Sequence, residues 1–179
     1  MVDAFKTGSS SPPRNHAAKT SSHPSNYTVR TVSFRLVREP DAPRRPRLSD
    51  PATVANFARQ LLPDDSREHF GILMLSAQNG LVAYHEVSVG TLNASLVHPR
   101  EVFGPVLRVM GVASIILLHN HPSGDPTPSR EDLRLTRQLV EAGGLLDITV
   151  HDHIIIGHGP DHDGLTDKWV SLAQTGRLG

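Results

Sequence analysis

The stretch that decides the fold is residues 114–132, which read SIILLHNHPSGDPTPSRED. Residues 114–118 have the length and branching of a buried strand. A loop rich in Pro and Gly follows, and a helix is predicted over residues 129–142. His119 and His121 therefore stand where a buried strand ends, which is where open α/β sheets bind ligands.

Three side chains in this stretch have the chemistry of a metal site. Two histidines spaced i, i+2 on extended backbone point the same way, so the imidazoles of His119 and His121 can reach one ion. Asp132, one turn into the predicted helix, can turn back toward them. Two neutral imidazoles and one carboxylate form a three-ligand set that leaves the fourth position of a zinc ion for water. Zinc lowers the pKa of such a water to about 7, which creates a nucleophile at neutral pH.

The same residues also have interpretations that need no metal. A His-x-His pair alone is a weak signal for two ligands. Ser129 and Asp132 match the Ser-x-x-acid capping box, which satisfies the first amides of a helix. Both interpretations stay open from the residues alone, although the order of strand end, loop and helix start favours the metal site.

The composition restricts the kinds of site that the chain can contain. Its 179 residues include no cysteine, which excludes a disulfide scaffold, thiolate zinc ligands and a zinc deaminase with a Cys-x-x-Cys motif. A metal must therefore be held by His, Asp or Glu. No run of 18 apolar residues occurs, so we expect no membrane-spanning helix and no membrane partner.

The charge is unevenly placed along the chain. Residues 1–50 carry 9 Lys and Arg against 4 Asp and Glu, and residues 51–179 carry 9 against 14. This basic tail on an acidic remainder is a weak hint of DNA contact. A solvated leader is the simpler interpretation, because residues 1–26 are rich in Ser, Pro, Lys and Thr and show no periodicity. We therefore predict a disordered tail over 1–26, an N-terminal strand and helix extension over 27–64, and the main domain over 65–175.

Hydrophobic periodicity places further elements around the deciding stretch. Asn79-Gly80 between two apolar runs is a strong hairpin signal, and Gly143-Gly144 is expected to end the helix that begins at residue 129. Interleaved strands and helices with one hairpin predict a single α/β domain in which a mixed sheet is flanked by helices. The remaining predicted elements are a strand near 32–36, a helix over 51–62 capped by Ser49 or Asp50, strands over 70–76 and 81–88, a helix over 99–110 with Met110 inward, short strands over 146–150 and 153–156, and an amphipathic segment over 165–173.

The order His-x-His, seven residues, Ser, two residues, Asp resembles the JAMM signature of the JAB/MPN metalloprotease superfamily. Flanking blocks are similar to its bacterial RadC-like branch: HPRE at 98–101, HNHPSG at 119–124, PS at 128–129 and DHIIIG at 152–157. The resemblance covers about residues 65–158. It implies the MPN/JAB architecture, which is similar to that of cytidine deaminases.

The resemblance also implies roles for individual residues. His119, His121 and Asp132 match the metal ligands, with zinc as the cofactor. Ser129 matches the serine that hydrogen-bonds the developing oxyanion. Glu86 stands at the place of the upstream glutamate that serves as general base. The implied reaction is hydrolysis of an amide or isopeptide bond in a peptide or protein substrate, and the expected location is the cytoplasm.

Two departures from the RadC-like pattern bear on function. Residues 1–64 contain nothing that matches the helix-hairpin-helix DNA-binding module that such proteins often carry. Residues 158–164 read HGPDHDG, where the branch has an end containing Ser-Phe. Two other functions therefore stay open beside the hydrolase: a DNA-repair-associated accessory protein, which would contact DNA weakly through the basic tail, and a non-catalytic binding scaffold.

Other groups of histidines are interpreted as structural. Residues 151–153 form a second His-x-His, but in the resemblance Asp152 and His153 belong to the fold's own block, either as structural residues or as residues that support the metal ligands. His158 and residues 161–163 are expected to form a solvated loop.

Overall fold

In the part of the chain that the structure describes, five strands form one mixed β-sheet that is flanked by helices, as the sequence predicts. The structure is a computed structural model that describes residues 46–63, 65–90, 97–157 and 168–179. The predicted tail over 1–26, the strand near 32–36 and the loop at 158–164 lie outside these ranges. The elements are α1 (Pro51–Leu61), β1 (His69–Leu75), β2 (Leu81–Val89), α2 (Pro99–Val106), β3 (Ser114–His121), α3 (Arg130–Leu145), β4 (Thr149–Gly157) and β5 (Trp169–Ser171), and the strand order is β2-β1-β3-β4-β5.

The sheet is mixed because its strands are joined in two ways. β1 and β2 are antiparallel, as the Asn-Gly signal predicts, and Asn79 in their turn has a φ of 57°, in the left-handed region that Asn tolerates. β3 and β4 are parallel, with α3 as the crossover between them. β1 also pairs antiparallel with β3, so the beginning of β1 lies beside the end of β3.

Successive side chains of the central strands alternate between two buried faces. On β3, Ile115 and Leu117 pack in a core with residues of α2 and α3. Ile116 and Leu118 pack on the opposite face with residues of α1. His119 follows Leu118 and therefore belongs to the face that α3 covers.

The helix α3 continues through Gly143-Gly144, where the sequence predicts its end. Gly143 is buried, and a Cβ at this position would lie 2.5 Å from the backbone oxygen of Ile148 and 3.3 Å from a methyl group of Val150. The glycine is therefore required for the close approach of α3 to the chain that follows it. It does not act as a helix stop.

The helix α2 ends at Val106, earlier than predicted. Pro105 lies in its last turn, and its missing N–H removes the hydrogen bond that this turn would make to the oxygen of Glu101. The sequence predicts that Met110 faces inward, but its side chain is 93% exposed. Within the described ranges, no helix combines the length and apolar character that a membrane crossing needs.

One strand, β4, takes the place of the two short strands predicted over 146–150 and 153–156. Its pairing with β3 shifts register between Ile115 and Ile116, so His151 is accommodated as an extra residue and the ladder continues. The described part of the predicted amphipathic segment, from residue 168, contains the strand β5.

Candidate metal centre

A pocket of about 170 Å³ is formed where β3 ends and α3 begins. β3 contributes its last residues, and the loop over 122–129 returns the chain so that the first turn of α3 faces them. The structure thus brings together four of the residues that the sequence predicts for the site. The pocket is lined by Glu68, His119, His121, Ser123, Ser129 and Asp132.

The ligand atoms of His119, His121 and Asp132 converge on one point. All of them lie within 4.8 Å of one another. His119 Nδ1 is 3.2 Å from Asp132 Oδ1, and His121 Nε2 is 3.5 Å from Asp132 Oδ2. Donor atoms that lie about 2 Å from one tetrahedral zinc ion are roughly 3.3 Å apart, so this spacing fits a single ion.

Several buried polar atoms of the cluster lack partners of their own. His119 and Asp132 are each 1% exposed. In the described part of the chain, neither ring nitrogen of His119 has a hydrogen-bond partner, and neither has Asp132 Oδ1. The 3.2 Å approach between the two residues has the distance of an ion pair but not the directions of a hydrogen bond. Because an unsatisfied buried polar atom costs about 1–3 kcal/mol, a metal ion among these atoms would stabilise the site.

His121 is held in the tautomer that a metal ligand requires. Its Nδ1 donates to the backbone oxygen of Asp125 at 2.7 Å, so Nε2 keeps its lone pair for the cluster. Burial lowers the pKa of His121, but its contacts with Asp132 and the Asp125 oxygen and the charge of Glu68 raise it, and the net pKa lies above the ordinary value. The imidazole therefore lies in a negative field, which also favours a cation.

Ser129 and Asp132 form the capping box that the sequence allows, and the same contacts orient the carboxylate. The Ser129 N–H and Oγ both donate to Asp132 Oδ2 at 2.7 Å, and the Asp132 N–H donates to Ser129 Oγ at 3.1 Å. Asp132 Oδ1 is left directed at His119. The capping box and the candidate metal site are therefore one arrangement. Because the Ser129 hydroxyl already donates its proton to Asp132, it must turn away before it can stabilise an oxyanion.

Asp132 is ionised in the folded protein. Burial alone would raise the pKa of its carboxyl group. The contacts from His119 and His121 and the hydrogen bond from Ser129 outweigh that effect and hold the pKa well below its ordinary range. The carboxylate is therefore available as an anionic ligand.

The second His-x-His does not form a pair of ligands, because His151 is exposed and His153 is fully buried on the other side of the chain. Thr136 Oγ1 donates its proton to Asp132 O, so His153 Nδ1 is the donor to Thr136 Oγ1 at 2.7 Å. The His153 ring stacks 6.0 Å from that of His119. Burial, with the nearby charge of His119, lowers the pKa of His153 to about 3, so this ring is neutral.

The structure does not bring Glu86 to the cluster. Glu86 and Leu118 both pair with Gly71, so their side chains share one face of the sheet. His119 is the next residue after Leu118 and projects from the opposite face. The Glu86 carboxylate instead accepts from His69 Nδ1 at 2.8 Å. The expectation that Glu86 is the general base is therefore corrected. The alternation of side chains along the strands directs Glu86 to the face away from His119.

Glu68 is the carboxylate that the sequence analysis missed. It is half-buried, directly precedes β1 and lines the pocket beside the three candidate ligands. The signal that could have located it is topological. A strand that pairs antiparallel with β3 must begin beside the end of β3, so the residue before β1 lies next to the histidines.

Comparison with known proteins finds one matching family model and several similar proteins. The family model described as "RadC-like JAB domain" matches residues 48–177. A UPF0758 protein of Caldanaerobacter subterraneus subsp. tengcongensis is 50% identical over 112 residues, which cover 63% of this chain and 48% of the relative. One from Desulforamulus reducens is 50% identical over 128 residues, covering 72% and 52%, and one from Desulfitobacterium hafniense is 44% identical over 134 residues, covering 75% and 55%. The chain spans about half the length of these curated relatives.

Proposed function

The chain belongs to the RadC-like JAB domain family, and on this premise we propose that it is a zinc-dependent hydrolase of amide or isopeptide bonds in peptide or protein substrates. One observation carries the proposal. Three ligand atoms converge in a pocket that also contains a carboxylate, Glu68, with no place in the ligand set. A scaffold that only binds a partner has no need of this additional acid.

The donor set supports zinc as the ion. Two imidazoles and one carboxylate are the ligands of zinc sites that keep an open position, and the chain has no thiolate to offer. Hard cations such as Mg²⁺ prefer sites made of oxygen ligands. When bound, zinc supplies Lewis-acid chemistry, which makes water nucleophilic near neutral pH and polarises a substrate carbonyl.

The chain's own residues supply proton transfer. We assign the general base to Glu68, because this residue lines the same pocket as the ligands and its charge acts on His121. Glu68 accepts a proton from the attacking water and delivers it to the leaving nitrogen, so that the amine departs neutral. Glu86 has no part in this step, since it lies on the other face of the sheet.

Ser129 is assigned chiefly to the orientation of Asp132. Its N–H and hydroxyl hold Asp132 Oδ2, which fixes the rotamer of the carboxylate. The oxyanion role expected from the family requires the hydroxyl to exchange this partner during the reaction. Loss of Ser129 is therefore expected to affect metal binding as well as rate.

The proposed activity can be tested without knowing the natural substrate. The zinc-loaded full chain is incubated with a pool of linear peptides and a pool of peptides branched through Lys Nζ, and new amine termini are identified by mass spectrometry. We expect products from at least one pool, and roughly a hundredfold less product, or less still, with the Glu68→Gln protein. A zinc-loaded protein that cleaves neither pool would favour the non-catalytic scaffold. Contact of the basic residues 1–50 with DNA stays a separate prediction, because nearly all of them lie outside the described residues.

A further inference from the structure

Asn120 lies between the two histidine ligands and is completely buried. Its side-chain oxygen Oδ1 accepts from the backbone N–H of His69. Its Nδ2 donates to the backbone oxygen of Arg67 at 3.0 Å. The orientation of the amide is unambiguous, because a backbone N–H can only donate and a carbonyl can only accept.

These two hydrogen bonds hold the two peptide groups on either side of Glu68. The Arg67 carbonyl belongs to the peptide group before the Glu68 Cα, and the His69 N–H belongs to the one after it. Each peptide group is planar, so fixing both planes fixes φ and ψ of Glu68 and with them the direction of its side chain. The Asn120 amide therefore helps to set the direction in which the Glu68 side chain leaves the backbone.

The backbone ladder cannot perform this task by itself. The pairing of β1 with β3 ends at Phe70 and His119, one residue short of the peptide groups in question. At the next position, the Asn120 side chain makes the hydrogen bonds that a further backbone pair would make. On the opposite edge, the Gly90 N–H donates to Glu68 O at 2.9 Å.

The side chain of His69 anchors the same segment on the face away from the pocket. Its Nδ1 lies 2.8 Å from Glu86 Oε1, and its Nε2 lies 3.0 Å from Asp65 Oδ1. Asp65 also accepts from the backbone N–H and guanidinium of Arg67. Side-chain hydrogen bonds thus stabilise the segment from Asp65 to His69 on both sides of Glu68. Glu86 contributes one of them through His69.

We propose that Asn120 is a positioning residue, which holds Glu68 at a fixed place relative to the ligands His119 and His121. The role rests on the proposed function only in treating Glu68 as the acid that the site uses. Because Asn120 shares strand β3 with both histidines, one rigid element sets the ligands and the acid together.

A double-mutant cycle on zinc affinity tests the proposal without a substrate. The dissociation constant of zinc is measured by chelator competition for the wild type, Glu68→Gln, Asn120→Ala and the double variant. A carboxylate in the pocket attracts a dication, so Glu68→Gln should weaken zinc binding, by roughly three- to tenfold for a partly solvated charge. Asn120→Ala should weaken it similarly by releasing Glu68, and the double variant should bind no more weakly than Glu68→Gln.

Hydrogen exchange of the metal-free protein gives an independent readout. The His69 amide should exchange at least about tenfold faster in Asn120→Ala than in the wild type, because its acceptor is gone. Asn120→Ser keeps a buried polar group but is too short to hold both peptide groups, and it serves for the same measurements if the alanine variant unfolds.

Additive losses of zinc affinity in the cycle would overturn the proposal, because Asn120 would then act on the metal independently of Glu68. Equal affinities in all four proteins, or an unchanged exchange rate at His69, would overturn it too. Failure of peptide cleavage with a coupled cycle would instead count against the hydrolase and leave the positioning role standing.

Discussion

Ser129 Oγ donates to Asp132 Oδ2 at 2.7 Å, while the Asp132 N–H donates back to Ser129 Oγ at 3.1 Å. This reciprocal pair caps α3 and also orients the carboxylate whose other oxygen is directed at His119. The start of the helix and the candidate metal centre are therefore stabilised by the same contacts. Formation of the first turn of α3 therefore also positions the Asp132 carboxylate, a candidate metal ligand.

Replacing Ser129 by alanine should lower both stability and metal affinity. Loss of an N-cap side chain costs about 1 kcal/mol of unfolding free energy. Asp132 Oδ2 also loses a hydrogen-bond donor that fixes its rotamer. Thermal denaturation and chelator competition measure the two effects. Ser123→Ala is the matched control, since this exposed serine lines the same pocket but, unlike Ser129, is not hydrogen-bonded to Asp132. Indistinguishable behaviour of the two variants would contradict the role of Ser129.

Glu68→Gln should lower the cleavage rate, whereas Glu86→Gln should lower the stability of the fold. Without the Glu68 carboxylate the attacking water loses its base, and the cleavage rate should fall on the order of a hundred- to ten-thousand-fold. Glu86→Gln should retain most of the rate and instead reduce stability, because the carboxylate that accepts a hydrogen bond from buried His69 is replaced by a neutral amide. Rate assays with zinc-loaded proteins of equal metal content separate the two. A large rate loss confined to Glu86→Gln would refute the assignment of Glu68.

The fold could be predicted from the sequence where local pattern decides it. The Asn79-Gly80 turn, the buried β3 strand and the capping residues of α3 each have a short-range signal. Gly143 does not, because its requirement comes from the backbone of Ile148 against which it packs. His151 likewise becomes an extra residue only through its pairing with a strand far away in the sequence.

The candidate site likewise has residues that a local pattern predicts and residues that depend on contacts between distant parts of the sequence. His119, His121 and Asp132 lie within one strand-loop-helix unit, so local sequence suffices to predict that their side chains come together. Glu68 reaches the pocket through the pairing of β1 with β3, a contact across 51 residues, as the bond from His69 to Asn120 shows. Glu86 matches the expected place in the sequence, but strand alternation directs its side chain to the other face.

Acid should destabilise the protein partly through His153. Its folded-state pKa of about 3 lies below the ordinary 6.5 because the ring is buried beside His119. Below pH 6.5 the unfolded chain therefore binds a proton that the folded protein does not. The contribution to stability is complete above pH 6.5 and is lost toward pH 3, at roughly 1.4 kcal/mol per pH unit at most.

The test is the slope of unfolding free energy against pH in the presence of a chelator. His153→Asn keeps a donor toward Thr136 but does not titrate, so its slope between pH 6 and about 4 should be shallower than that of the wild type. His151→Asn, at an exposed position of the same strand, should leave the slope unchanged. Parallel curves for the wild type and His153→Asn would show that His153 is not held neutral.

The central claim is that His119, His121 and Asp132 hold one metal ion, and elemental analysis of the purified full chain tests it most directly. We predict one zinc per chain in the wild type and in His151→Ala, and almost none in His119→Ala or Asp132→Ala. Circular dichroism confirms that the variants remain folded. Stoichiometric zinc in the folded His119→Ala and Asp132→Ala proteins, or a wild type that fails to retain zinc after reconstitution, would contradict the account.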